Sequence, residues 1–408
     1  EARERLQSVF DLSEAQADYI LDLQLGRLTK FSRLELEKEA EELRRRIEEL
    51  DRILSDEAAL RALVGEELAD VAERFGTPRR TVLLASAGQQ VNAAKLTVEV
   101  ADDPCWVLLS GTGLLARTGD DSAFGETGRR GKHDVVVSAV AATARGQVGL
   151  VCDDGTVHRL DVLDLPLLPP TADAPTLQGG VPLSELLVPD GRPIALMSLD
   201  DDGPGVALGT EQGVVKRVKP DHLGRDSWEI IRLEEGDRVV GATQLSSGEE
   251  ELVFITSDAQ LLHFSASLVR PQGRTGGGVA GVKLGAEDRV VSFGAVRDPE
   301  KAHVLTISGH GDALPGTQNG SAKLSPFAIY PAKGRATGGV RCQRFLAGED
   351  RLLAAWAGDG APMACSSSGT PIEPPEVSER RDGSGQPLSQ PVHAIASPLS
   401  ATPSGVSD

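Results

Sequence analysis

One motif recurs six times between residue 104 and the end of the chain, and no other feature of the sequence constrains the fold as strongly. Each copy has an apolar strand, a Gly/Asp turn, a second short strand and often a basic residue. The copies are WVLLSGTGLLART (106–118), VGLVCDDGTVHRL (148–160), GVALGTEQGVVKRVK (205–219), LVFITSDAQLLHF (252–264), HVLTISGHGDALPG (303–316) and LLAAWAGDGAPMA (352–364). A unit repeated about every 45–55 residues predicts a six-bladed propeller or a related array.

The first part of the chain has helical spacing instead. Ser13, followed by Gln16 three residues later, predicts a capped helix start. From Ser32 onward, apolar residues alternate at spacings of four and three, which is a heptad seam; they are Leu36, Ala40, Leu43, Ile47, Leu50 and Leu54. A further amphipathic helix over 57–75 is expected to end at Gly76. The seam fits either an intramolecular helical hairpin or a coiled-coil arm with a dimer contact near residues 21–29.

The period changes from 3.6 to 2 after Arg80, and no long helical pattern returns. The sequence therefore predicts a multidomain chain, α and then all-β: a helical coiled coil over 1–80 and a six-bladed β array over 81–398. Residues 399–408 belong to a Pro/Ser/Gly-rich stretch and are expected to form a disordered tail. Because Glu1 lies inside a helical pattern and is not Met, we expect the chain to be a fragment of a longer protein.

Composition narrows the functional classes. The net charge of −19 argues against a general nucleic-acid binder, so any polyanion must meet a local basic strip. No apolar run of about 18 residues predicts a membrane span. The four cysteines form no CxxC pair and are expected to be buried, reduced thiols rather than metal ligands. We find no histidine pair at metal spacing, and neither a Ser/His/Asp nor a Walker pattern.

Basic residues recur near the second strand of several repeats and in the Gly-rich loops between them. The loops over 273–279 and 334–340 share the pattern G-R-x-x-G-G-V, and each leads to a similar strand start, AEDRVVSF or GEDRLLAAW. Equivalent positions of a circular array point the same way, which predicts a discontinuous basic strip for duplex phosphates, read without sequence preference. The candidate DNA-binding residues are Arg117, Arg129, Arg130, Lys132, Arg159, Lys216, Arg217, Lys219, Arg270, Arg274, Lys333 and Arg335. Alternatively, these side chains merely solubilise the loops.

The helical sequence DLSEAQADYILDLQLGRLTKFSRLELEKEAEELRRRIEELDRIL, followed by EELADVAERFGTPRRT, resembles the coiled coil and exit gate of type IIA topoisomerase A subunits. These subunits belong to bacterial gyrase and topoisomerase IV. The six repeats resemble the β-pinwheel that follows the gate in the same subunits. The resemblance covers almost the whole chain, and its two signatures occur in the family's order.

The resemblance implies a homodimer through the exit gate, with Leu21, Leu25 and Leu28 in the interface, and a pinwheel that binds and bends double-stranded DNA. It implies that an ATPase B subunit is the partner in an A2B2 holoenzyme, which uses ATP and Mg²⁺; no cofactor is expected in this fragment, and no membrane. The setting would be the bacterial cytoplasm, at the nucleoid. The family's catalytic tyrosine follows an arginine, whereas Tyr19 and Tyr330 do not; we therefore expect it upstream of Glu1.

One departure from the family bears on the activity. Gyrase A subunits carry a box Q-R-R-G-G-K-G in the first blade, where this chain reads Gly-Arg-Arg-Gly-Lys-His-Asp over 128–134, and a second partial match covers 380–385. A degenerate box favours topoisomerase IV, which decatenates and relaxes DNA; the alternative is a gyrase that wraps DNA for negative supercoiling. A more remote alternative is a protein-binding coiled-coil and propeller scaffold, although none of Trp106, Trp228 and Trp356 is followed by Asp.

Overall fold

The computed structural model describes residues 2–22, 30–76, 101–125, 128–171, 173–200, 202–219, 224–313 and 318–399. The chain forms two compact units, Glu1–Lys95 and Leu96–Asp408, which we treat separately. The predicted boundary at residues 80 and 81, and all but the first residue of the predicted tail, lie outside the described residues. The domain limits therefore stay predictions.

The first unit contains the helices α1 (Ala2–Phe10), α2 (Glu14–Leu21), α3 (Lys30–Ser55) and α4 (Glu57–Phe75). The predicted capping box is confirmed, because the Ser13 hydroxyl accepts from the Gln16 N–H and the Gln16 side chain accepts from the Ser13 N–H. Helix α4 begins after Asp56, whose carboxylate accepts from the Ala58 N–H at 2.9 Å, and it ends at Gly76 as predicted.

The heptad seam of α3 faces solvent instead of packing against α4. Leu43 and Ile47 are 58% and 57% exposed, and Leu36, Leu50 and Leu54 are also exposed. Ion pairs at helical spacing, such as Arg45 with Glu41 at 3.0 Å, lie between the apolar positions. Exposed ion pairs of this kind contribute little to the free energy of folding. The main physical feature of α3 is therefore its unpartnered apolar stripe. Within the described residues, no helix is long and apolar enough to cross a membrane.

The second unit is the predicted six-bladed pinwheel, and each blade is built on one β-hairpin. The hairpins are β1/β2 (Pro104–Ser110, Leu114–Arg117), β4/β5 (Gln147–Cys152, Thr156–Asp161), β8/β9 (Val206–Thr210, Val214–Val218), β12/β13 (Glu251–Thr256, Gln260–Ser265), β16/β17 (Ala302–Gly309, Ser321–Pro326) and β20/β21 (Met363–Cys365, Pro371–Ile372). Each hairpin turn has a residue with a positive φ, directly before the second strand in blades 1 to 5 and two residues before it in blade 6. It is glycine in five hairpins and Ala259 in the fourth, since this conformation favours residues without a Cβ.

Two further sets of strands complete the blades. The inner strands are β3 (Val136–Thr143), β7 (Pro193–Ser198), β11 (Val239–Gln244), β15 (Val290–Val296), β19 (Arg351–Asp359) and β23 (Ala394–Ala396), and residues from all six line one central cavity. The outer strands are β6 (Val181–Pro182), β10 (Ser227–Glu229), β14 (Val279–Ala280), β18 (Val340–Arg341) and β22 (Gln386–Pro387). The sheet order is inner strand, hairpin, outer strand in blades 1 to 5.

The outer strands are exchanged between blades. The chain makes the hairpin of one blade, then the outer strand of the preceding blade, and only then its own inner strand. One backbone hydrogen bond marks every exchange: an N–H near the outer strand donates to the carbonyl of the positive-φ residue. The pairs are Leu183–Gly113, Ile230–Gly155, Gly281–Gly213, Cys342–Ala259, Leu388–Gly320 and His133–Gly369, at 2.8 to 3.0 Å.

The last of these pairs closes the ring. The sheet of blade 6 has three strands among the described residues, in the order β21-β20-β23. The segment 130–133, which lies between β2 and β3, takes the place of its outer strand, because the His133 N–H donates to Gly369. Val135 then packs against Cys365 and Ala396. Blade 6 and blade 1 are therefore joined by the same exchange as the other blades.

The apolar core lies between neighbouring blades. One cluster joins Leu109 of blade 1 to Leu150 of blade 2, and another joins Phe254 of blade 4 to Ala207 of blade 3. Phe254 also packs on Phe293 with ring centroids 4.8 Å apart. All four cysteines are buried free thiols, as predicted, and burial raises the pKa of Cys152 to about 12. Because blades share their cores, no single hairpin buries its own apolar face.

Two repeats are built differently from the prediction. In the fifth, the predicted copy covered 303–316, of which 314–316 lie outside the described residues. The second strand of the hairpin, β17, begins later, at Ser321, and Gln318 bonds to His310 in the longer connection. In the sixth, the stretch 352–364 is not a hairpin. Its first strand is the inner strand of blade 5 and its second strand begins blade 6. An apolar strand followed by Gly or Asp occurs both inside a hairpin and between the inner strand of one blade and the hairpin of the next. The pattern alone therefore cannot distinguish these two kinds of turn.

A buried carboxylate organises the turn before β12. Glu250 is 5% exposed. Its carboxylate accepts from the Ser247 N–H at 2.9 Å and the Gly248 N–H at 2.7 Å, and also from both the N–H and the hydroxyl of Ser246. Burial opposes ionisation, but the hydrogen bonds outweigh it and lower the pKa of Glu250 to about 2.

We expect Glu250→Gln to lower the free energy of unfolding at pH 7 by about 1–3 kcal/mol, because buried donors lose a charged acceptor. A carboxylate with a lowered folded-state pKa stabilises fully above its ordinary pKa of 4.5 and loses that effect as the pH falls towards 2. Urea denaturation from pH 7 to pH 2.5 should therefore show the difference from wild type shrinking below pH 4.5. The exposed neighbour variant Glu249→Gln is the control and should differ little at any pH; a difference for Glu250→Gln that is independent of pH would contradict the assignment.

Candidate nucleic-acid interface

An arginine-bearing loop precedes each of four successive outer strands. Arg225 lies before β10, Arg274 before β14, Arg335 before β18, and Arg381 before β22. We call the segments 224–226, 273–278, 334–339 and 380–385 the arginine loops. Because the outer strands form the edges of blades 2 to 5, the four arginines recur at the same place along the perimeter.

A second set of basic side chains lies just after the outer strands. Arg232, Lys283 and Arg344 are exposed. Each lies two positions after the residue whose N–H donates to the hairpin turn. Their own N–H groups donate to the arginine loop of the next blade: Arg232 to Gly276 at 3.4 Å, Lys283 to Thr337 at 3.0 Å and Arg344 to Gly383 at 3.0 Å. The two sets therefore alternate along the perimeter.

These residues form a basic strip that runs over blades 2 to 5. We define it as Arg225, Arg232, Arg274, Lys283, Arg335, Arg344, Arg380 and Arg381. In blade 1 the position equivalent to Lys283 is Glu185, so the strip begins at blade 2. Only Arg274 and Arg335 were among the predicted contacts. For Arg232, Lys283 and Arg344 the signal was in the sequence, as a basic residue two positions after the exchange hydrogen bond, but its meaning depends on the strand exchange.

Other predicted residues lie beside the strip. Lys219 and Arg270 are exposed, and the Lys219 N–H donates to the Gln272 carbonyl next to the second arginine loop. Lys333 is exposed and its ammonium donates to the Gly339 carbonyl at 2.7 Å. The Arg335 guanidinium donates to the Ala280 carbonyl on the outer strand of the preceding blade. Lys333 and Arg335 therefore help to fix the loop that carries them.

Two predicted contacts in β9 are corrected by the structure. Lys216 is 0% exposed and Arg217 is 8% exposed, so neither can reach a phosphate. The Arg217 guanidinium donates to the Gly248 carbonyl at 3.3 Å and the Ala266 carbonyl at 3.0 Å, near Glu250. In the sequence, basic residues in a second strand suggest an exposed position. In the structure, strand exchange places the outer edge of blade 3 over β9.

The buried ammonium of Lys216 has a full set of acceptors. Its Nζ lies 2.7 Å from the Ile230 carbonyl, 2.8 Å from that of Arg274 and 2.8 Å from that of Gly276. Lys323, at the same position in blade 5, donates to the carbonyls of Cys342 and Arg381 and to the Tyr330 hydroxyl. Burial lowers the pKa of both lysines to about 8.

Arg117 and Arg159, the predicted contacts in blades 1 and 2, are half-buried. The Arg159 guanidinium stacks over Trp228 at 5.4 Å and donates to the side chain of Gln147 and to the carbonyl of Arg225. Its contacts therefore support the first arginine loop from below. The Nε of Arg117 is buried without a hydrogen-bond partner. The structure gives both residues an internal environment rather than a place in the strip.

The first-blade loop divides its basic residues between two environments. Arg129 and Lys132 are exposed, whereas the Arg130 side chain is only 22% exposed. Arg130 pairs with buried Asp134 at 2.9 Å and donates to the carbonyls of Ala364 and Ile372 in blade 6. The predicted phosphate contact of Arg130 is therefore corrected, because its guanidinium is used in ring closure.

The predicted dimer residues lie at the edge of the described part of the first unit. Leu21, the last residue of α2, is 48% exposed, while Leu25 and Leu28 lie outside the described residues. The two tyrosines differ: Tyr19 is 66% exposed, and Tyr330 is buried beneath the outer edge of blade 4 with its pKa raised by burial. In the described part of the chain, no group of three or more His, Cys, Asp and Glu side chains could hold a metal ion.

Comparisons with known proteins agree with this architecture. A family model described as the DNA gyrase C-terminal domain, β-propeller, matches residues 206–246, 250–297 and 316–355. A second model, which describes the A subunit of DNA gyrase/topoisomerase IV, matches residues 1–69. The chain is also similar in fold to the crystal structure of the C-terminal domain of a DNA topoisomerase IV, with a TM-score of 0.55 and 19% identity over 72% of this chain and 93% of that one.

Curated relatives extend the similarity across both units. The DNA gyrase A subunit of Staphylococcus aureus is 30% identical over 358 residues, which is 83% of this chain and 38% of the relative. The DNA gyrase A subunit of Staphylococcus epidermidis is 29% identical over 354 residues, 82% of this chain and 37% of the relative. The chain thus spans less than two fifths of the length of these relatives. With the helical unit and the pinwheel matched in the same order, the chain belongs to the family of DNA gyrase and topoisomerase IV A subunits.

Proposed function

We propose that the chain is the C-terminal part of the A subunit of a type II DNA topoisomerase, and that its pinwheel binds duplex DNA along the basic strip. The observation that carries the proposal is the recurrence of the strip at one place in four successive blades. A duplex that follows the perimeter meets cationic side chains at every blade from 2 to 5. Regular spacing along a curved edge suits a repeating, flexible polyanion better than a protein partner of irregular shape.

The charge distribution supports the same proposal. The chain carries a net charge of −19, so the protein repels DNA in general and the strip is a local exception. Basic residues that flank the inner strands are paired with acids, as in Arg238 with Glu211 at 3.0 Å and Arg297 with Asp359 at 3.0 Å. Binding to phosphates through the strip would be insensitive to base sequence and would release counterions.

Replacing Arg232, Lys283 and Arg344 together with Ala should flatten the log–log dependence of DNA affinity on salt by about two to three units, since each lost phosphate contact removes about 0.9. Fluorescence anisotropy with two unrelated 40-base-pair duplexes from 50 to 250 mM KCl measures this slope, and both duplexes should show the same change. A second variant, Arg129→Ala with Lys132→Ala, tests whether the first-blade loop adds contacts to the path.

The matched control replaces Arg145 and Lys301, which are exposed residues in turns between an inner strand and the next hairpin. It removes two charges away from the arginine loops and should leave the slope within experimental error. A decrease in the control in proportion to its two charges would mean that the slope reports net charge and not the strip. Absence of salt-dependent binding in the wild type would favour the protein-binding scaffold.

We propose that the parent enzyme supports decatenation and relaxation, as topoisomerase IV does, with gyrase-type wrapping as the alternative. The first proposal is supported by Arg130, which is used in ring closure and leaves Arg129 and Lys132 as the exposed basic residues of the degenerate box. The alternative is supported by a basic strip that extends over four blades, long enough to hold a curved duplex, and by relatives that are gyrase A subunits.

Ligation of a nicked circular plasmid in the presence of the chain separates the two proposals. A pinwheel that only bends DNA should leave the mean linking number of the closed product unchanged, whereas wrapping should shift it in proportion to bound protein. Without ligase, a supercoiled plasmid should stay supercoiled, because Tyr330 is buried and Tyr19 lacks the preceding arginine. A shift in linking number at saturating protein would reject the topoisomerase IV-like proposal.

We further propose that the first unit forms a homodimer gate through the region of Leu21, Leu25 and Leu28. The dimer would belong to an A2B2 holoenzyme in which the B subunit uses ATP and Mg²⁺. Its setting would be the bacterial cytoplasm, at the nucleoid. The exposure of Leu21 and of the α3 seam supports an apolar contact made outside the single chain. Sedimentation equilibrium should show a dimer at tens of micromolar, and Leu21→Glu should shift it towards monomer. A wild-type monomer at these concentrations would reject the gate.

A further inference from the structure

Two buried lysines lie beneath two of the four arginine loops. Lys216 in β9 and Lys323 in β17 each follow the positive-φ glycine of their hairpin by three residues, so they occupy the same position in blades 3 and 5. They are 0% and 2% exposed. The DNA-binding role proposed above does not use them, since neither can touch a phosphate.

Both ammonium groups bind the same two structural elements. One is the residue that makes the exchange hydrogen bond of the preceding blade: Ile230 for Lys216 at 2.7 Å and Cys342 for Lys323 at 2.9 Å. The other is the backbone of an arginine loop, through the carbonyl of Arg274 at 2.8 Å or of Arg381 at 3.0 Å. Each lysine therefore connects an arginine loop of its own blade to the outer edge of the blade before it.

We propose that Lys216 and Lys323 are positioning residues for DNA binding, which hold the arginine loops of blades 3 and 5 in the geometry that presents the basic strip. This inference depends on the proposed function for its consequence, although the loop geometry can be tested without DNA. Each lysine directs the carbonyl oxygen of a strip arginine inwards. A carbonyl turned outwards would place partial negative charge where a phosphate must approach.

The cost of burial supports a specific role. An ammonium group inside a protein is unfavourable unless its donors are satisfied, and three acceptors surround each of these groups. The other blades do without it, with Ala116, His158, Leu262 or Ile372 at this position. In blade 4, which has Leu262, the loop is held from the surface by Lys333 and Arg335 instead. Apolar residues are thus compatible with the fold at this position.

The loop geometry is tested first, without DNA. In Lys216→Met, amide hydrogen exchange should accelerate in 272–278 and stay at the wild-type rate in 379–385. In Lys323→Met, it should accelerate in 379–385 and stay at the wild-type rate in 272–278. Leu262→Met is the matched control, because it changes the same position in blade 4 without an ammonium group. It should leave both segments unchanged. Uniform acceleration over all blades would reduce the lysines to general core residues and overturn the proposal.

DNA binding is tested with a double-mutant cycle. Lys216→Met should weaken affinity for a 40-base-pair duplex about 3- to 10-fold. In free energy, a loss of this size lies within the range of interaction energies between contacting residues. Arg274→Ala should then cost less in the Lys216→Met background than in the wild type, because the loop no longer presents the guanidinium. Full additivity would overturn the positioning role. If Lys216→Met does not fold, the same cycle with Lys323→Met and Arg381→Ala decides the question.

The two proposals fail in different ways. A wild-type chain that does not bind DNA overturns the proposed function, while the segment-specific exchange still decides whether the lysines hold the loops. A wild-type chain that binds DNA, combined with exchange in 272–278 and 379–385 that is unchanged by the methionine variants, leaves the proposed function intact and overturns the role of the lysines.

Discussion

The pinwheel depends on one backbone hydrogen bond, repeated six times, from an N–H near an outer strand to the carbonyl of the positive-φ residue in the hairpin turn. Each bond joins the hairpin of one blade to a segment that follows the hairpin of the next blade around the ring. Since the apolar clusters also lie between blades, no blade is an independent folding unit. Cooperativity around the ring follows, and the closure at His133 and Gly369 uses the same bond.

The same exchange creates the proposed DNA-binding edge. It brings the loop before each outer strand next to the residues after the preceding outer strand, so two sets of basic side chains that are far apart in sequence alternate along the perimeter. Arg232 and Gly276, for example, belong to different blades and are joined by a backbone hydrogen bond. A strongly acidic protein thereby presents cationic side chains at each blade from 2 to 5, while acids elsewhere pair with other basic residues, such as Glu211 with Arg238.

Charged residues inside the fold bind other parts of the chain, whereas those of the basic strip are on its surface. Arg130 with Asp134 closes the ring, Arg217 and Glu250 lie in one buried cluster around a turn, and Lys216 and Lys323 bind loop carbonyls. These residues are as basic in the sequence as those of the strip. What separates the two groups is whether another strand covers them, and that is decided by the preceding and following blades.

The sequence by itself determined the fold class, the number of blades, the helical start with its cap at Ser13, and the family, because periodicity, turn residues and caps are local. It also located Arg274 and Arg335, whose loops repeat visibly. Only the tertiary structure decided that Lys216, Arg217 and Arg130 are internal and that Arg232, Lys283 and Arg344 lie on the edge. The physical reason is strand exchange: whether a side chain is covered depends on a segment some 50 or more residues away in the chain, as for the Lys216 ammonium and the Arg274 carbonyl.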